Sequence, residues 1–250
     1  VTPAPYYADN HVQLYLGDMR EVLPALGITA DAVVTDPPYG ETSLAWDRWV
    51  DGWPALVADC ASRLWCFGTL GMFMDHAGEF SEWRKPRSIV WEKNNGTGFA
   101  ADFFRTVHEL AGYFYRGAWA NAHEPPRREP GNGRVGSVRA SHAVVTHTGK
   151  IGATHYVDDG KRLVRSVLRA GSIRGGLHPT EKPAAILAPL IEYAVPPGGL
   201  VLDPFGGSCS TGLTARQLGR RAVVIEANEE YCEKAAERLS VPDLFGGVAS

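Results

Sequence analysis

Residues 36–39 read Asp36-Pro37-Pro38-Tyr39 and follow the apolar run Ala32-Val33-Val34. A strand leads into two consecutive prolines, which cannot donate to a sheet ladder or continue a helix. The chain must therefore leave the strand in a rigid, extended turn. That turn offers one carboxylate, carbonyls with no N–H beside them, and one aromatic ring. Such groups suit a flat heterocycle gripped by its amino group. A short motif needs a matching context before it means more than a strand end.

A second constellation supplies that context. Val201-Leu202-Asp203 runs into Pro204-Phe205-Gly206-Gly207-Ser208-Cys209-Ser210-Thr211-Gly212, a strand, a glycine-rich turn and a helix start. Glycines there let backbone pass close to a ligand, and free N–H groups at a helix start favour an anionic group. Glu226 follows the apolar run Ala222–Ile225, where an acidic residue can accept both hydroxyls of a ribose. The spacing is not that of a nicotinamide fingerprint. Leu16-Gly17-Asp18 adds a third strand-end carboxylate, able to accept from an adenine amino group or to cap the helix that follows it.

The elements that must carry these residues alternate. Strands are expected at His11–Leu16, Ala32–Thr35, Cys66–Met74, Ser88–Glu92, within His108–Arg116, at Leu200–Leu202 and at Ala222–Ile225. Helices are expected at Met19–Leu26, Trp53–Leu64, His76–Arg84, Glu181–Ala194 with Pro183 in its first turn, Thr211–Leu218 and Glu229–Leu239. Alternation of this kind indicates an α/β fold, a mostly parallel sheet covered by helices on both faces. Residues 116–177 break the pattern. They are rich in Gly, Pro, Arg and His, too long for a plain loop, and must form a small inserted region. Within it, Thr154–Val157 and Lys161–Val167 flank Asp158-Asp159-Gly160 and predict a β-hairpin.

Charge follows the same division. The chain has 250 residues and a formal net charge of −3, yet residues 116–182 hold twelve Lys/Arg against five Asp/Glu. A basic segment in an acidic body is a candidate nucleic-acid surface. The four cysteines form no C-x-x-C pair and have no histidines at zinc spacing, so free thiols in a reducing cytoplasm, and no metal, are expected. No run of eighteen apolar residues suggests a membrane span. Val1 to Asn10 lack a basic and an apolar region, so no signal peptide is expected there.

With these blocks in hand, the chain resembles the S-adenosylmethionine-dependent amino-group DNA methyltransferases. Asp36-Pro37-Pro38-Tyr39 precedes the cofactor block, the order of the permuted β class. Gly17-Asp18, Trp91-Glu92-Lys93, His108-Glu109, His178-Pro179-Thr180-Glu181-Lys182-Pro183, Asp203-Pro204-Phe205-Gly206-Gly207-Ser208 and Glu226 match the family in order. The resemblance implies a Rossmann-like methyltransferase fold in which residues 1–115 form the catalytic half, 116–177 a target-recognition insert, 178–240 the cofactor half and 241–250 a tail. It implies base flipping and N6-adenine methylation of double-stranded DNA, with cytosine-N4 as the alternative and a decayed DNA- or cofactor-binding module as the rival of another class. Asp36 argues against the protein-glutamine methyltransferases, which carry Asn there. It implies Asp36, Pro37, Pro38 and Tyr39 as catalytic residues. Asp18, Asp36, Thr180, Lys182, Asp203, Phe205, Gly206, Gly207, Ser208, Ser210 and Glu226 would bind S-adenosylmethionine. Arg127, Arg128, Arg134, Arg139, Arg165, Arg169 and Arg174 would meet DNA. A homodimer is expected on the same ground. Cys209 stands where the family has glycine, so positive φ there would strain the backbone.

Overall fold

The computed structural model describes residues 2–44, 46–97, 102, 104–131, 135–136, 138–141, 144–146, 149–151, 154–173, 176 and 181–241. Thr180, Arg134 and Arg174 lie outside the described residues, as does the expected tail beyond Val241.

In chain order the elements are β1 (Tyr7–Ala8), β2 (Val12–Leu16), α1 (Met19–Leu26), β3 (Ala32–Thr35), α2 (Trp53–Ala58), β4 (Arg63–Gly68), α3 (Leu70–Asp75), β5 (Arg84–Thr97) and β6 (Thr106–Tyr115). Seven short strands follow: β7 (Arg128–Pro130), β8 (Val138–Ser141), β9 (Val144–Thr146), β10 (Gly149–Ile151), β11 (Thr154–Val157), β12 (Lys161–Leu163) and β13 (Val167–Arg169). The chain then runs through α4 (Ala184–Ala194), β14 (Leu200–Asp203), α5 (Ser210–Gln217), β15 (Arg221–Glu226) and α6 (Glu229–Ser240). The described residues divide into two compact units, one of residues 1–125 with 166–250 and a smaller one of 126–165.

The larger unit is built on one nine-stranded sheet in the order β1-β2-β15-β14-β3-β4-β6-β5-β13. The strands β2, β15, β14, β3 and β4 are parallel; β6 runs antiparallel to both its neighbours. Period-two alternation explains the two cores. Ala32, Val34, Trp65, Phe67, Val201, Ala222 and Val224 face α4, α5 and α6. Val33, Leu64, Cys66, Leu202, Val223 and Ile225 face α1, α2 and α3. Side chains alternate across a strand, so a sheet buried on both faces needs apolar residues at every position.

Several boundaries differ from the sequence expectation. The helix from Trp53 stops at Ala58, because Leu64 and Cys66 alternate with Trp65 and Phe67 and the chain is already β4 by Arg63. The strand expected over Cys66–Met74 ends at Gly68, where Thr69 caps α3 by accepting from the Met72 amide. The helix expected over His76–Arg84 is a single 3-10 turn at Ala77–Phe80. Helix α4 starts at Ala184, with Pro183 outside it at ψ 141°. A residue before proline is pushed out of helical space, so Glu181-Lys182 could not be a first turn.

The smaller unit corrects the expected hairpin. Strand β11 pairs with β8 and β12 with β7, each antiparallel, and not with one another. Asp158, buried in the turn, accepts from the Gly160 amide and from the Arg162 guanidinium. The backbone of the turn bonds to Gly131 and Gly136 instead of closing on itself. Aspartate at a turn competes in this way for local backbone donors.

Candidate active site

The strand order brings together what the chain order keeps apart. Strands β14 and β15 arrive late in the sequence yet insert between β2 and β3. The carboxyl ends of four adjacent parallel strands therefore carry Asp18, Glu226, Asp203 and Asp36 along one edge of the sheet. Ligands in open α/β sheets bind at that edge, where strand order reverses. A cavity of about 390 Å³ opens there. Its lining includes Asp18, all of Asp36-Pro37-Pro38-Tyr39, Lys182, Asp203 through Ser208, Ser210 and Glu226. Trp46, Arg48 and Tyr231 line it as well.

The glycine-rich turn is shaped by close packing. A Cβ on Gly206 would fall 2.3 Å from Val224 Cγ1, so only glycine lets the turn lie on β15. Gly207 and Cys209 both adopt positive φ, at 51° and 58°. Cys209 is the sole non-glycine residue in that region among the described residues, at the start of α5. Its thiol is fully buried, and burial pushes its pKa up to about 12. A protonated, enclosed thiol in this turn is no nucleophile.

Glu226 fastens the turn. Its carboxylate accepts from the Gly207 amide at 2.7 Å and the Asn228 amide at 2.8 Å. Burial raises its pKa above the usual range, and these backbone donors only partly offset it. Asp203 accepts from the Thr35 hydroxyl at 2.7 Å and the Phe205 amide at 3.2 Å; burial raises its pKa to about 6. Asp18 caps α1 by accepting from the Arg20 amide at 2.8 Å and pairs with the Arg20 guanidinium at 2.5 Å. That hydrogen bond to Arg20 is the main reason its pKa is lowered.

The Asp-Pro-Pro-Tyr turn sits in a network of charge. Tyr39 donates its hydroxyl toward Asp36 Oδ1 at 2.5 Å, and Glu109 Oε1 lies 3.0 Å from the Tyr39 hydroxyl oxygen. Lys182 pairs with Asp36 and, at 3.0 Å, with Glu109. Lys93 pairs with Glu109 at 2.6 Å. Burial pushes Asp36 upward; Lys182 pulls it back and Glu109 pushes it up again. Burial works against the Glu109 charge too, but Lys182 and Lys93 overcome it and hold Glu109 low. Lys182 is thus aimed at the Asp-Pro-Pro-Tyr turn while still lining the cavity.

The sequence missed Glu109, Glu181 and Arg238 as site residues. Arg238 donates to Glu181 at 2.7 Å and to the Ser208 carbonyl and Ser210 hydroxyl, each at 3.2 Å. The signal for Glu109 was present only as a block match, with nothing to aim its side chain. The tryptophans at 46–53 divide: Trp46 lines the cavity, Trp49 stacks on His76 at 3.7 Å, and Trp53 is fully buried.

The basic residues of the insert are placed less tightly. Arg128 pairs with Asp159 at 2.5 Å and Arg169 with Glu92 at 2.7 Å, both on exposed surface. Arg139 lies on β8, and Arg127 and Arg165 lie in the smaller unit.

Residues 30–237 match the family described as DNA methylase, of the N6/N4 type. The chain belongs to this family. The methylase is 27% identical, over 94% of its length and 83% of the relative's, to Type II methyltransferase M.ScaI of Streptomyces caespitosus. Over 68 residues, 27% of the methylase and 23% of the relative, it is 47% identical to the DNA adenine methyltransferase YhdJ of Escherichia coli strain K12. The solved M1.HpyAVI–SAM complex matches with a TM-score of 0.63 at 22% identity, covering 91% of the methylase and 99% of that chain. The cytosine-N4-specific PvuII DNA methyltransferase matches with a TM-score of 0.65 at 15% identity, covering 97% and 91%. The fold is that of the Rossmann-like methyltransferases. The motif resemblance holds: this is an amino DNA methyltransferase that uses S-adenosylmethionine. No helix among the described residues is long and apolar enough to cross a membrane.

Proposed function

We propose that the methylase transfers a methyl group to the N6 amino group of an adenine flipped out of double-stranded DNA. The observation that carries this reading is the Asp36 carboxylate, held at the cavity by Tyr39 and Lys182. An exocyclic amine is a poor nucleophile because its lone pair is delocalised into the ring. In this reading Asp36 and the Pro37 carbonyl accept from the two N–H groups, which favours a pyramidal nitrogen and offsets the charge that develops on it. Tyr39 and Pro38 fix the plane of the base.

The cavity suits the cofactor. Its volume is in the range of small-molecule sites, and its wall combines a glycine-rich turn with strand-end carboxylates. Glu226 would meet the ribose, Asp18 the adenine, and Phe205 to Ser210 with Asp203 the methionine part. Asp36, Thr180 and Lys182 complete the list, with Lys182 serving Asp36 as well. When bound, the cofactor supplies an electrophilic methyl on a sulfonium. Asp36 would take up the proton that the nitrogen loses on accepting the methyl and pass it to solvent. Positioning supplies much of the rate.

Residues 116–177 would read the target. Arg127, Arg128, Arg134, Arg139, Arg165, Arg169 and Arg174 would supply phosphate or guanine contacts, with Arg128 and Arg169 exchanging their surface carboxylates for phosphate. A homodimer and a cytoplasmic location complete the reading.

The test is transfer of labelled methyl to unmethylated genomic DNA, followed by digestion to nucleosides. N6-methyldeoxyadenosine is expected; label in N4-methyldeoxycytidine would transfer the reading to cytosine. Asp36→Ala is expected to lose at least about a hundredfold in rate while still binding cofactor. Near-normal transfer by that variant would refute the mechanism.

A further inference from the structure

Glu109 reaches the active edge by strand register alone. Strand β6 is antiparallel to β4, with Leu110 opposite Gly68, so Glu109 stands just past the carboxyl end of β4. Its side chain is only 9% exposed and touches two groups that also touch Asp36: the Tyr39 hydroxyl and the Lys182 ammonium. Both carboxylates contact the same phenol oxygen, which has one proton to give. The two acids therefore compete for one hydroxyl proton and share one ammonium. Lys93 then takes up the second oxygen of Glu109 from β5, leaving Lys182 shared.

We infer that Glu109 is a positioning residue of the methyl transfer, setting the orientation and charge of the Asp36 carboxylate through Tyr39 and Lys182 without touching the base. This rests on the reading in which Asp36 accepts from the target amine. Stability does not call for the arrangement. One buried lysine is neutralised by one carboxylate, and a second acid beside Asp36 adds repulsion unless a further cation balances it. Lys93 is that cation. The four groups Asp36, Glu109, Lys182 and Lys93 together carry no net charge, which keeps the site neutral before a cationic cofactor arrives. The remaining groups facing Asp36 are Tyr39 from its own turn, Cys66 from β4 and Asp203 from β14. None of them has a cation of its own to shift with Glu109 in the described contacts.

The inference predicts opposite signs for two substitutions. Glu109→Gln removes the negative charge that faces Asp36 and frees Lys182 to neutralise it. Asp36 then ionises more easily, so the acid limb of the rate profile moves to lower pH. Lys93→Gln leaves the Glu109 charge less compensated, so the limb moves to higher pH. The Asp36 and Glu109 oxygens are bridged by a single phenol, so each shift is about one pH unit. The experiment measures single-turnover methyl transfer from pH 5 to 9 on unmethylated genomic DNA, with cofactor affinity by calorimetry. Expected are a rate about tenfold lower for Glu109→Gln at the plateau, unchanged cofactor affinity, and limbs displaced in opposite directions. Uniform slowing with the wild-type limb would overturn the inference, as would limbs displaced the same way. If Glu109→Gln fails to fold, Lys93→Gln alone decides, since its limb must rise. Asp36→Ala runs alongside: activity in that variant sinks the proposed reaction itself, whereas an inactive Asp36→Ala with unmoved limbs sinks only the role of Glu109.

Discussion

Replacing Asp203 by asparagine should stabilise the methylase at pH 8 and not at pH 4. Asp203 is 3% exposed, has no lysine or arginine paired with it among the described residues, and accepts from Thr35, Thr211 and the Phe205 amide. Burial is the largest influence on it and raises its pKa from 3.8 to about 6. A raised folded pKa means that the folded protein holds its proton more tightly than the unfolded chain. The corresponding stability is complete below about pH 4 and is lost as pH rises through about 6. A difference of about 2 units corresponds to roughly 3 kcal/mol of destabilisation at pH 8. Asparagine avoids that charge. Its amide nitrogen cannot accept, however, so at least one of the three donors loses its partner, at a cost of about 1 kcal/mol or more. The net gain at pH 8 is about 1–2 kcal/mol, or some 2–8 °C in melting temperature for a chain of this size. Thermal melts of wild type and Asp203→Asn from pH 4 to 8 test it, and other titrating groups cancel in the difference. A constant or shrinking advantage of the variant as pH rises would refute the argument, because the destabilisation would then not come from the buried charge.

Two further outcomes follow from Cys209 and its fellow thiols. Cys209→Gly exchanges left-handed strain of about 1–2 kcal/mol for a lost buried thiol and a freer unfolded chain, so stability should stay within about 1 kcal/mol. Cys209→Val, β-branched in the same conformation, should lose more than about 2 kcal/mol; denaturant melts separate the two, and equal melts for valine and glycine would remove the strain argument. In the native protein a thiol reagent should modify Cys60 first, since Cys66, Cys209 and Cys232 are buried and burial raises their pKa values, the last two to about 12. Mass mapping that found Cys209 labelled before Cys60 would contradict the packing of the glycine-rich turn.

What the sequence made legible was local. Short apolar runs marked β2, β3, β14 and β15. Asp18 announced α1, and the prolines at 37 and 38 marked a strand end. Motif order then supplied the fold class. What it did not supply was anything that depends on strand order across the sheet. Glu109 and Tyr39 are 70 residues apart in sequence, and only the placement of β6 beside β4 joins them. Lys182 looked like a cofactor contact because its block precedes the cofactor turn. Its pairing with Asp36, 146 residues away, exists because β14 lies next to β3. The same limit explains the hairpin. A turn sequence specifies a reversal, but β11 and β12 chose partners from earlier in the chain.

The four strand-end acids also differ in a way that bears on the chemistry. Asp18 is tied to Arg20 at the surface, and Asp36 is balanced by Lys182 inside the network it shares with Glu109 and Lys93. Asp203 is buried and Glu226 half-buried, with backbone and hydroxyl donors in place of cations, and desolvation raises both. Uncompensated buried carboxylates are costly unless something offsets them. A cationic ligand in the cavity would do so, and the free protein bears the cost until it binds. The cavity is therefore divided by electrostatics. Its Asp203–Glu226 side is poised for positive charge, whereas its Asp36 side is already neutralised and suits an uncharged amine. In the proposed reaction, positive charge would pass from the first side to the second, where Lys182 pulls Asp36 back against the upward push of burial and Glu109.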